Sequence, residues 1–122
     1  MIKSNSILLH VEDAEASTRF YADLLGQEPV EASPNFAMFI LPSGLGLGVW
    51  NRNEITPPPT GGVGGDEIGF KVAAPEAVDA LHDMWRGKGA RIAMEPRDLD
   101  FGRSFLALDP DGHRLRVYAL AD

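Results

Sequence analysis

Residues 100–118 read DFGRSFLALDPDGHRLRVY, and the fold is decided by how this stretch is parsed. Phe105-Leu106-Ala107-Leu108 is a short apolar run suited to a buried strand. Asp109-Pro110-Asp111-Gly112 is a turn, in which proline presets φ and glycine accepts a conformation other residues resist. Turn formation accounts for both carboxylates of this run. From His113 to Tyr118 the chain alternates. Leu115 and Val117 belong to one face of a strand, and Arg114, Arg116 and Tyr118 to the other.

The same grammar occurs earlier in the chain. Ala37–Leu41 leads into Pro42-Ser43-Gly44 and then Leu45–Trp50, the proline-X-glycine cores lying 68 residues apart. Leu47, Val49 and Trp50 thereby fall opposite Leu115, Val117 and Tyr118. Ser6–Val11 reads as a strand, and Glu67–Val72 repeats it 61 residues later. Each is followed by an amphipathic helix. The first has Asp13 as N-cap, a stripe of Ala16, Phe20 and Leu24, and Gly26 to end it. The second has Pro75 in its first turn, a stripe of Val78, Leu81 and Trp85, and Gly87 and Gly89 at its close.

Between the halves, the prolines and glycines of Pro57–Gly65 exclude both helix and strand, so the segment is a loop, read as a connecting linker with a lid over a site as the alternative. The expected organisation is α+β: a single domain, residues 1–122, made of two βαβββ modules, about 1–56 and 66–122, joined by linker 57–65. Each module presents one sheet face to its helix, on the outside. The other face is expected to be a concave half-barrel surface that needs a partner sheet or a ligand. Pairing of such faces predicts a homodimer.

At 122 residues and 44% hydrophobic, the chain suffices for one core. It has no cysteine, which excludes disulfides, thiolate metal sites and cysteine nucleophiles and suits a cytoplasmic location. Met1–Asn5 is polar and Ile7–Leu9 is too short for a signal or membrane segment. A net charge of −7 opposes nucleic-acid binding and, taken globally, favours cationic ligands.

The order and spacing of VEDAEASTRFYADLLG, EIGFKVAAPEAVDALHDMW and DFGRSFLALDPDGHRLRVY resemble the vicinal-oxygen-chelate superfamily, which includes glyoxalase I and the bleomycin-resistance proteins. The resemblance covers almost the whole chain. In metal-dependent members, side chains converge on an ion from the first and last strand of each half, and the corresponding positions here are Ser6, Gly48, Glu67 and Arg116. A divalent metal wants several oxygen or nitrogen donors. Only Glu67 is an ordinary ligand, and Arg116 puts a fixed cation at the ion's place. The resemblance therefore points to the drug-binding branch, with no metal ligands and no cofactor.

Alternation aims Leu8, His10, Trp50, Lys71, Arg114, Arg116 and Tyr118 at the concave face, with Ile7, Leu9, Val11, Ile68, Phe70, Leu115 and Val117 in the core. Trp50 offers a flat face for stacking, and Tyr118 matches it in the second half. Trp85, on a helical stripe, reads as core. Phe101 and Arg103 lie on the loop before the strand, where the family often contacts its ligand. His10 reads as a polar lining residue, His82 and His113 as surface residues. Glu67 and Arg116 are expected to replace the metal with an ion pair.

The functional expectation is a metal-independent small-molecule binder, sequestering a planar aromatic antibiotic or drug. The alternative is a lyase, isomerase or dioxygenase of the superfamily with an altered active site, using Glu67 or His10 for proton transfer. A third reading is an interaction module whose cup is simply filled.

Overall fold

The computed structural model describes residues 4–121. Of the polar opening Met1–Asn5, the first three residues lie outside this range, as does Asp122. The chain divides into two compact units between Val63 and Gly64.

In the first unit the order is β1 (Ser6–Val11), α1 (Ala14–Leu25), β2 (Glu31–Ala32), β3 (Phe36–Ile40) and β4 (Gly46–Asn51). These strands form one open sheet in the order β1-β4-β3-β2, with β1 parallel to β4 and the others antiparallel. The second unit repeats the plan with β5 (Glu67–Lys71), α2 (Pro75–Gly87), β6 (Arg91–Leu99), β7 (Gly102–Leu108) and β8 (Arg114–Leu120). Its order is β5-β8-β7-β6, with β5 parallel to β8. The α+β fold of two βαβββ modules is thus observed, and neither sheet closes on itself.

Local chemistry places the helices. The Asp13 carboxylate accepts from the backbone N–H groups of Glu15 and Ala16, and Gly26 takes the left-handed conformation (φ 65°) that ends α1. The helix α2 begins with Pro75 in its first turn, and its N-cap, Ala74, makes no side-chain hydrogen bond.

The buried stripes differ in phase from the sequence reading. On α1 the buried residues are Ala14, Ser17, Tyr21 and Leu24. Tyr21, not Phe20, faces the sheet and meets Phe39 at 6.4 Å between ring centroids. On α2 they are Val78, His82 and Trp85. Both helices are short, so a one-residue rotation exchanges which of two adjacent apolar residues is seated. Trp85 is core, with ring centroids 5.6 Å from Phe70 and 5.5 Å from Phe105.

His82 and His113, expected on the surface, are both buried. His82 packs edge-on against Phe105 with its ring nitrogens facing Asp83 and Glu95. His113 Nδ1 accepts the Asp66 backbone N–H at 3.3 Å. Ile7, expected in the core, is exposed. The helix α1 lies over β3 and β4, so the start of the edge strand β1 is uncovered.

Candidate functional site

Strand register determines which side chains share a face. In the first module the sheet face away from α1 carries three rows: Ser6–Gly46–Ile40, Leu8–Gly48–Met38 and His10–Trp50–Phe36. This surface is mainly apolar and aromatic, with Glu31 opposite Met38 at its edge. Trp50 is half-buried and meets Phe36 edge-on at 6.0 Å. A Cβ at Gly48 would stand 2.5 Å from Leu8 Cδ2, so Leu8 lies across the strand where a side chain would otherwise project. Leu8 and Met38 cover Gly48, a position that the resemblance assigns to a metal ligand.

In the second module the face away from α2 carries the rows Glu67–Arg114–Leu108, Gly69–Arg116–Leu106 and Lys71–Tyr118–Ser104–Arg97. Its centre is an ionic cluster. Arg116 Nε donates to Glu67 Oε2 at 2.8 Å, and Arg114 Nε donates to Glu67 Oε1 at 2.7 Å. Arg116 Nη1 also reaches Ser104 Oγ at 3.2 Å. The hydrogen bond from Arg116 holds the Glu67 carboxyl below its ordinary value of 4.5, against the opposing effect of burial, and Arg114 adds to the lowering. Beside the cluster, Phe101 meets Tyr118 edge-on at 6.2 Å.

The expected Glu67–Arg116 pair is therefore present, with Arg114 as a second partner. These residues do not fit a divalent metal. Ser6 supplies a hydroxyl, Gly48 nothing and Arg116 a cation, while both oxygens of Glu67 already accept from guanidinium groups. The one group of potential ligands close together among the described residues is Asp109, Asp111 and His113. There Asp109 Oδ1 accepts the backbone N–H groups of Asp111 and His113, both at 2.9 Å, which closes the turn between β7 and β8.

Arg103 goes elsewhere. It sits within β7 rather than on the preceding loop, and alternation turns it to the helix-covered face with Phe105. Its Nε donates to Asp79 of α2 at 3.0 Å and its Nη1 to Asp98 of β6 at 3.1 Å. Those two carboxylates, Asp79 foremost, raise its pKa above the ordinary value. Gly102 before it is obligatory, with φ 145° and the Ala119 carbonyl lying where a Cβ would be. The Gly-Arg pair thus shapes the strand and anchors the helix.

Of the residues singled out from sequence, Glu67 and Arg116 come together, as do Phe101 and Tyr118; Trp50 and His10 share a row on the other module's face. Arg114, Ser104, Arg97 and Phe36 were missed as site residues. Alternation already placed Arg114 beside Arg116. Ser104 and Arg97 become visible only through the β6–β7–β8 register, and Phe36 lies one residue before the apolar run read as a strand.

Residues 3–117 match the model of the Glyoxalase/Bleomycin resistance protein/Dioxygenase superfamily. The chain is 33% identical over 123 aligned positions to the phenazine antibiotic resistance protein EhpR of Enterobacter agglomerans, covering 98% of this chain and 93% of that protein. Among solved structures, a protein from Agrobacterium tumefaciens determined by solution NMR is 41% identical, with a TM-score of 0.85 and full coverage of both chains. A glyoxalase/bleomycin resistance protein/dioxygenase from Nocardioides shares the fold at 24% identity, with a TM-score of 0.86 over 100% of this chain and 85% of that one.

Proposed function

The chain belongs to the glyoxalase/bleomycin resistance protein/dioxygenase superfamily, and from that premise we propose that it is a metal-independent binder of a planar aromatic antibiotic or drug, acting in resistance by sequestration. The observation that carries this reading is the capture of Glu67 by Arg114 and Arg116 at a position where metal-dependent relatives hold an ion. A carboxylate in that state is a poor metal ligand. It is also a poor general base, since both guanidinium groups stabilise its ionised form.

The resistance role is supported by the similarity to EhpR, a phenazine antibiotic resistance protein. Phenazine is a flat tricyclic ring system, and flat rings suit the aromatic surfaces on the two open faces. Trp50 with Phe36 offers one, and Tyr118 with Phe101 the other. In this reading His10 lines the face beside Trp50, Glu67 and Arg116 form a polar floor, and Arg103 contributes through its anchoring of α2. The two modules and their linker constitute one domain that works as a cytoplasmic homodimer, with no nucleic-acid or membrane partner. Among the described residues, no helix is long and apolar enough to cross a membrane.

Titration with phenazine, followed by indole fluorescence, tests the proposal. Quenching is expected from Trp50, with buried Trp85 as the unresponsive background, and Trp50→Ala is expected to weaken binding by at least ~1 kcal/mol. Unchanged affinity in that variant would assign Trp50 to packing. Chelator treatment is expected to leave binding intact, whereas near-stoichiometric metal in the purified protein would overturn the metal-independent reading. Sedimentation at micromolar concentration is expected to show a dimer.

A further inference from the structure

We infer that the molecule bound on the open face of the second module is an aromatic acid, its carboxylate or phenolate oxygen seated on Arg114 and Arg116. This rests on the aromatic-binding reading above and deepens it by assigning charge. Register places Lys71, Arg97, Arg114 and Arg116 on that face with, among the described residues of its strands, a single carboxylate, Glu67. A fifth cation in the same rows, Arg91, is turned to the Asp109 carbonyl. The chain as a whole carries a net charge of −7, so this concentration of positive charge runs against the composition.

The hydrogen bonds sharpen the point. Glu67 engages the Nε of each arginine and neutralises one of the two charges. Apart from Arg116 Nη1 on Ser104, the terminal amino groups of both arginines have no partner among the described residues. A bridged guanidinium pair with unused donors is a preorganised seat for an oxygen anion. Arg114 is about half exposed and Arg116 about one-fifth, so the seat is open to solvent yet partly dehydrated. Tyr118 follows Arg116 by two residues on the same face of β8 and carries Phe101 against its edge, which sets an aromatic surface beside the cations. One face thus offers both halves of an aromatic acid's recognition, and it disfavours the cationic ligands that the overall charge suggests.

Three probes test the assignment: phenazine-1-carboxylate, its methyl ester and benzoate, titrated at low salt against the full chain labelled with 15N. The acid is expected to bind about tenfold or more tightly than its ester, with the preference shrinking as salt rises. Arg114→Gln should bring the acid down towards its ester. Glu67→Gln, which removes the site's own competing carboxylate, should tighten the acid, and this opposite sign separates anion recognition from a general loss of structure. Equal affinity of acid and ester would overturn the inference while leaving the planar-drug reading in place. If neither tricycle binds but benzoate shifts the Nε–Hε signals of Arg114 and Arg116, the anion seat stands and the planar-drug reading falls. If no acid moves those signals, the inference is refuted.

Discussion

Where Leu8 lies across Gly48 in the first module, the second module has Gly69 beside Arg116. The two modules share their strand order and their helix placement, yet the large and small members of this parallel pair are exchanged. In the first, the β4 strand is bare at Gly46 and Gly48, and side chains from β1 and β3 cover it. In the second, β8 carries Arg114 and Arg116 at the matching positions, and β5 supplies the acid that bridges them. One backbone plan therefore produces an apolar face and an ionic one, and the choice turns on which strand holds the glycines. The helix-covered faces do not diverge in this way. Leu9, Leu47 and Val49 in one, and Ile68, Leu115 and Val117 in the other, are all buried and apolar, because both must exclude water beneath a helix.

The glycine exchange gives the largest expected effect. Gly48→Ala forces a methyl to within 2.5 Å of Leu8 Cδ2, with Met38 and Phe36 side chains close behind. Leu8 is 40% exposed and must turn aside to relieve this contact, so a loss of about 1 kcal/mol, the low end for overpacking, is expected. Gly69→Ala meets only the Tyr118 ring, at 3.3 Å, and should cost less. Urea unfolding of both variants checks the ranking. Adding Leu8→Ala to Gly48→Ala should recover part of the loss, and strictly additive behaviour would break the proposed large–small coupling.

A smaller asymmetry lies at the helix starts. Asp13 caps α1 through two backbone N–H groups, while Ala74 caps α2 with no side chain. Asp13→Ala should destabilise by about 1 kcal/mol, and Ala74→Asp should stabilise by a comparable or smaller amount. Thermal melts of the two variants would then move in opposite directions. Equal and negligible shifts would mean that tertiary packing alone sets both helix starts.

The smallest effect belongs to the ionic face. Glu67 has a pKa below its ordinary value when folded, so it contributes stability at pH above the unfolded carboxylate value of 4.5. That contribution is lost as pH falls through the lowered folded value. The carboxylate is more than one-third exposed, and solvent screening limits the contribution to roughly 1 kcal/mol or less. Urea midpoints measured from pH 7 down to pH 3 should fall less steeply in Glu67→Gln than in the parent chain. An identical slope would remove Glu67 from the acid response.

Much of this architecture was legible in the chain before any coordinates. The period-two alternation of Arg114–Tyr118, the Asp109–Gly112 turn, the Asp13 cap and the Gly26 stop are local features, each depending on a handful of neighbouring residues and their backbone preferences. The internal repeat follows from the same local signals recurring in order. The Glu67–Arg116 pairing was also accessible, because the resemblance to a metal-binding family already made those positions converge.

Other assignments required the folded chain. Arg103 reads from sequence as part of the ligand-facing loop, yet one residue of alternation within β7 turns it to Asp79 on the helix. His82 and His113 look like surface residues in isolation, but helix rotation buries one against Phe105, and hydrogen bonds with Asp66 and with Asp109 of the turn draw in the other. Arg97 and Ser104 joined the ionic face only through a register shifted by irregularities in β6. Local periodicity determined which residues could share a face. Partnership between strands tens of residues apart, and the angle at which each helix settles on its sheet, are non-local outcomes of packing, and only the tertiary structure decided them.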